Sequence, residues 1–119
     1  MRLEAGDAAL LWDMLDAATK ILAFVRGKTF QDYRGDELLR AAVERKIEII
    51  GEAAGKVSEQ LKQDTPNMPW RPIVAQRNVL AHEYGEVNQE SIWRVATVRV
   101  PELVAALEPL MPQPPDSGE

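Results

Sequence analysis

The chain contains no cysteine and one histidine among its 119 residues. Without thiols there is no disulfide framework and no thiolate-held metal. A solitary histidine leaves the acid pairs Asp13/Asp16 and Glu48/Glu52 as the only metal-ligand patterns, and exposed acids at helical spacing usually form a solvated face. No cofactor is expected. No apolar run approaches the ~18 residues of a membrane helix. Residues 1–7 carry acids where a secretory signal would carry a cationic segment, so the expectation is a cytoplasmic protein without membrane contact. Both kinds of glycine-rich phosphate loop are missing, as are a serine or cysteine nucleophile system and any internal repeat. Positive charge is also in short supply: 14 Lys and Arg against 19 Asp and Glu give a net charge of −5. Affinity for nucleic acid comes largely from neutralised phosphates, so tight nonspecific binding is excluded unless cations are concentrated locally. Arg71, Arg77, Arg94 and Arg99 fall close enough in sequence to permit that.

What is present is an ordinary globular balance, 45% apolar and 28% charged, enough for one domain over residues 1–111. Apolar periodicity predicts helices. The first spans Asp7 to Val25, with Asp7 as N-cap, Gly27 as stop, and Leu11, Leu15, Ala18, Leu22 and Val25 as its stripe. The second runs from Asp36 to Gln63 along Leu39, Val43, Ile47, Ile50, Ala54, Val57 and Leu61. Inside it Gly51, Ala54, Gly55 and Ser58 form a small-residue strip, for tight packing within the monomer or for a dimer seam. The third begins at Pro69 or Trp70 and ends near Gly85. The fourth is capped by Asn88, carries Ile92, Ala96, Leu103 and Leu107, and is kinked or split by Pro101 near Val100. The proline-rich segment 112–119 reads as a disordered tail.

The candidate chemistry lies at the end of the third helix, in Arg77-Asn78-Val79-Leu80-Ala81-His82-Glu83-Tyr84. Arg77 shares a stripe with Trp70, Ile73 and Val74, where an unpaired charge is costly. It either forms an ion pair with Glu48 or Glu52 or grips a phosphate as a planar two-pronged donor. Asn78 is one turn before His82 and can set its tautomer. His82 otherwise suits a helix C-terminus, where the macrodipole favours it. Tyr84 either packs its ring or borders a cleft.

Arginine, four residues, histidine, any residue, tyrosine resembles the signature of the HEPN superfamily. The stretches 11–18, 21–27, 49–54 and 69–71 (LWDMLDAA, ILAFVRG, IIGEAA and PWR) narrow the resemblance to its HepT branch over about residues 8–110. Glu83 departs from the glycine that often follows the motif histidine, which bears on catalytic strength. The resemblance implies an all-α, up-and-down bundle of four to five helices acting as a homodimer. It implies a metal-independent endoribonuclease toxin with Arg77 and His82 as catalytic residues and Asn78 in support. It further implies a nucleotidyltransferase antitoxin of the MNT type that transfers AMP to Tyr84, with RNA, not DNA, as substrate. The alternative is a non-catalytic helical dimer that binds a nucleotidyltransferase and accepts its modification.

Overall fold

A computed structural model describes the backbone of residues 4–80 and 88–111, and the side chains of all of these except 76–80. The regular structure of the described residues is all helical, with no strand among them. In chain order they form α1 (Ala5–Val25), α2 (Phe30–Gly35), α3 (Glu37–Lys56), α4 (Glu59–Asp64), α5 (Trp70–Leu80) and α6 (Gln89–Arg94). A π-helical turn (Val95–Arg99), α7 (Val100–Leu107) and a 3₁₀ turn (Glu108–Leu110) complete them. α1 lies against both α3 and α7, and α3 in turn carries α5. This all-α bundle matches the expected class.

α1 starts two residues earlier than expected, and Asp7 is not its cap. Asp7 lies in the first turn and is only 6% exposed. Its carboxylate accepts from the Ser58 amide at 2.9 Å and the Ser58 hydroxyl at 2.6 Å, so the start of α1 is tied to a point 51 residues away. The apolar stripe is also rotated. Leu11, Met14, Ala18, Ile21 and Val25 are buried, whereas Leu15 and Leu22 are only partly so. Both sets fit a 3.6 period, and the packing of α1 against both α3 and α7 selects between them. Gly27 ends the helix as expected, at φ 72°, a conformation glycine adopts without a steric penalty.

The long second helix is in fact two. Every residue of its stripe is buried, from Leu39 to Leu61, but the backbone turns extended at Val57 (ψ 151°) and Ser58 (ψ 155°). Ser58 Oγ then accepts from the Leu61 amide and starts α4. A serine that can cap and also bind a buried carboxylate gains more by breaking the helix than by continuing it. The small-residue strip divides accordingly. Gly51 and Ala54 are buried; a side chain at Gly55 would meet nothing within 4 Å; Ser58 serves Asp7. α2 was not foreseen. Thr29 and Asp32 form a reciprocal capping box, which holds the Asp32 carboxyl below its ordinary range through the Thr29 amide and hydroxyl.

Asn88 caps α6 as expected, its Oδ1 accepting from the Ser91 amide at 3.0 Å. Ile92, Ala96, Leu103 and Leu107 are buried. The expected division near Val100 falls where a π turn hands over to α7, with Pro101 in the first turn of α7, and the preceding turn is widened: the Val100 amide donates to the Val95 carbonyl, five residues back. That wider turn makes room for a proline ring that would crowd the carbonyl four residues before it in a regular α-helix. Asp7→Ala is expected to lower the unfolding free energy by about 2–3 kcal/mol, the loss of two hydrogen bonds to a carboxylate. Urea denaturation measures it directly, and an unchanged midpoint would mean the clasp is dispensable.

Candidate active site

The approach to the motif is built from the core outward. Thr65 follows α4, is 8% exposed, and donates its hydroxyl to the Leu61 carbonyl at 2.6 Å. The same oxygen accepts from the Trp70 indole N–H at 3.0 Å. Trp70 is buried as well, so the first residue of α5 is fixed through both ring and nitrogen. Its start at Trp70, with the Ile73 amide bonded to the Pro69 carbonyl, agrees with the proline-led beginning expected there. Ile73 is buried and Val74 half-buried, which seats the helix on α3.

The backbone of α5 then continues through Arg77 and Asn78 to Leu80. Arg77 is one turn after Ile73, and Asn78 one turn after Val74. His82 and Tyr84 lie outside the described residues, as does Gly85, the expected end of this helix. Of the two proposed ion-pair partners of Arg77, Glu48 bonds to Arg45 at 2.7 Å. Asp16, from the other acid pair considered for metal, bonds to Lys20 at 3.0 Å. Among the described residues no group of three His, Cys, Asp or Glu side chains converges as a metal site.

On the far side of the motif the chain re-enters the core at α6. Ile92 is 1% exposed, and the Trp93 ring lies 5.3 Å from Tyr33 and 6.4 Å from Phe30. α2 therefore serves as a clamp on α6. The signal for it, Thr29 followed three residues later by Asp32, was legible as a capping box but lacks the long apolar run that usually accompanies one. The Tyr33 side chain is fully buried, and its hydroxyl has no hydrogen-bond partner among the described residues. Burial, with a smaller contribution from Glu44, pushes its pKa up to about 12. Burial also raises the Glu44 carboxyl. In sequence, the motif thus falls between two helices that are each anchored by a tryptophan, Trp70 in α5 and Trp93 in α6. The remaining arginines of the region, Arg71, Arg94 and Arg99, are exposed; Arg99 bonds to Glu102 at 3.3 Å.

A family model described as "Ribonuclease HepT-like" matches residues 14–110. A probable ribonuclease HepT from Thermococcus cleftensis is 33% identical over 100 residues, covering 84% of this chain and 91% of its own. A provisionally named RNase of Methanocaldococcus jannaschii is 30% identical over 100 residues, 84% of this chain and 92% of its own. Another, from Caldanaerobacter subterraneus, is 37% identical over 79 residues, 66% of this chain and 70% of its own. No solved structure matches the chain.

Tyr33 carries a prediction of its own. A group with a folded pKa above its unfolded value contributes stability that is complete below pH 10 and is lost as pH rises toward 12. Tyr33→Phe should remove that alkaline decline. It should also leave Tm at neutral pH unchanged or raised, since it deletes an unsatisfied buried hydroxyl. A lowered neutral Tm would mean that the hydroxyl has a partner.

Proposed function

Because the chain belongs to the HepT-like ribonuclease family, we propose that it is a metal-independent endoribonuclease whose active centre is assembled from two copies. The observation that carries this reading is the motif Arg77–His82–Tyr84 within the matched span, with His82 the only histidine in the sequence. Cleaving RNA without a metal needs a base for the 2′-hydroxyl, an acid for the leaving 5′-oxygen, and a cation for the phosphorane. One chain supplies one imidazole. A two-fold dimer supplies two imidazoles and two guanidinium groups at one cleft.

One His82 takes the 2′ proton, and the 2′-oxygen forms its bond to phosphorus. The bond to the 5′-oxygen breaks, and the second copy's His82 protonates that oxygen. The two Arg77 side chains neutralise the charge on the phosphoryl oxygens, and Asn78 orients the imidazole. The products are a 2′,3′-cyclic phosphate and a 5′-hydroxyl, and DNA, without the 2′-hydroxyl, is left intact.

In this reading the protein is the toxin of a HEPN/MNT pair, held in check by a nucleotidyltransferase antitoxin. AMP placed on Tyr84 adds bulk and negative charge beside Arg77 and His82, opposing an anionic substrate. The net charge of −5 favours a second reading, a non-catalytic dimer whose role is to bind that nucleotidyltransferase and accept AMP at Tyr84.

Unmodified protein is expected to cleave labelled RNA in EDTA and leave cyclic phosphate ends. His82→Ala should be slower by about 10²–10⁴-fold, and Arg77→Ala should also be impaired. Cleavage that needs a divalent ion, or 3′-hydroxyl ends, would reject the mechanism. Activity in neither wild type nor variant would select the second reading.

A further inference from the structure

A slot of about 580 Å³ opens between α3, α5 and the segment that joins the π turn to α7. It is lined by Ile47 and Ile50 of α3, Pro72 and Ile73 of α5, and Val100 and Leu103 of α7. Except for Pro72 these side chains are nine-tenths or more buried. The slot is therefore lined by side chains that belong to the monomer's own core. Its volume lies in the range of pockets that enclose small organic groups. The polar groups at its mouth are Arg99 and Glu102, bonded to each other with side chains 64% and 63% exposed.

We infer that this slot receives one unpaired base of the RNA substrate and selects the nucleotide that flanks the cleaved bond. The inference rests on the ribonuclease reading for its ligand, and three observations support it. The first is charge: at −5, phosphate contacts away from the local arginines supply little affinity, and burial of a base adds affinity that does not depend on charge. The second is position: Ile73, in the slot wall, lies one turn or about 6 Å along the axis before Arg77 on the same helix. A base in the slot would therefore belong to a nucleotide neighbouring the phosphate that Arg77 holds.

The third is chemistry at the mouth. Single-stranded RNA is read by burying splayed-out bases and hydrogen-bonding their edges. Arg99 can donate to a ring nitrogen, a carbonyl or the adjoining phosphate, and Glu102 can accept from an amino group. An exposed ion pair contributes little by itself, so it exchanges readily for these contacts. A purely apolar guest would leave both groups idle.

The test is methyl NMR of the full chain titrated with non-cleavable 2′-O-methyl oligomers of A, G, C or U. Methyl signals of Ile47, Ile50, Ile73 and Leu103 should shift, while Met14, in the core under α1, should not. Leu103→Trp, filling the slot from α7, and Pro72→Trp, filling it from the exposed wall, should each remove these shifts and weaken binding about tenfold, the loss of one buried base. Glu102→Gln should reorder the preference among the four oligomers. Absence of slot shifts with every oligomer would overturn the inference. So would slot signals that respond only to protein dilution, which would assign the slot to a second copy. Slot shifts without RNA cleavage would keep the base site and reject the cleavage reading; cleavage without slot shifts would do the reverse.

Discussion

The clasp between Asp7 and Ser58 sets the direction of everything that follows it. A carboxylate this deeply buried must be satisfied, and the Ser58 amide and hydroxyl satisfy it. To offer both donors, Ser58 has to leave the helix, and doing so ends α3 and starts α4 at a new angle. α4 brings Thr65 under Trp70, and Trp70 fixes the first turn of α5. The placement of Arg77 and Asn78 is thus inherited, step by step, from an aspartate in the first helical turn.

Much of this was legible in the sequence, because burial in helices follows a period. The stripe from Leu39 to Leu61, the cap at Asn88, the stop at Gly27 and the start at Trp70 all stand as read. The failures share a physical origin: they occur where a side chain answers to a partner distant in sequence. Asp7 looks like a helix cap, and only the fold brings Ser58 to it. Leu15 and Leu22 fit the period of α1 as well as Met14 and Ile21 do, and the choice belongs to α3 and α7. α2 is too short for periodicity, and its purpose, holding Trp93 through Tyr33, lies some 60 residues further along the chain. Of the site itself, the sequence proposes Arg77, Asn78, His82 and Tyr84, and the structure supplies the helix backbone that carries the first two of these residues. The slot bounded by Ile47, Ile73 and Leu103 could not be read at all, since its walls come from three separate helices and each wall residue reads simply as core.

The two tryptophans flanking segment 81–87 work by different means. Trp70 is held by a hydrogen bond and by burial, which fixes both depth and rotation. Trp93 is held by tilted ring contacts, which fix position but tolerate small rotations. A composite centre needs its groups placed to within fractions of an ångström. The more rigid anchor stands at the start of the helix that carries the arginine, and the more compliant one stands where the chain leaves the motif.

The π turn at Val95–Arg99 also keeps the last helical segment in phase. Ile92, Ala96 and Val100 are buried at two successive spacings of four. In an unbroken α-helix each such step overshoots a full turn by about 40°, so the third residue would drift about 80° around the axis. The wider turn takes that drift back and returns Leu103 and Leu107 to the stripe that meets α1. Deleting one residue from this turn would let it close into a regular α-helix without turning the side chains beyond it away from the core, because the wider turn spends one residue more than a regular turn on the same rotation.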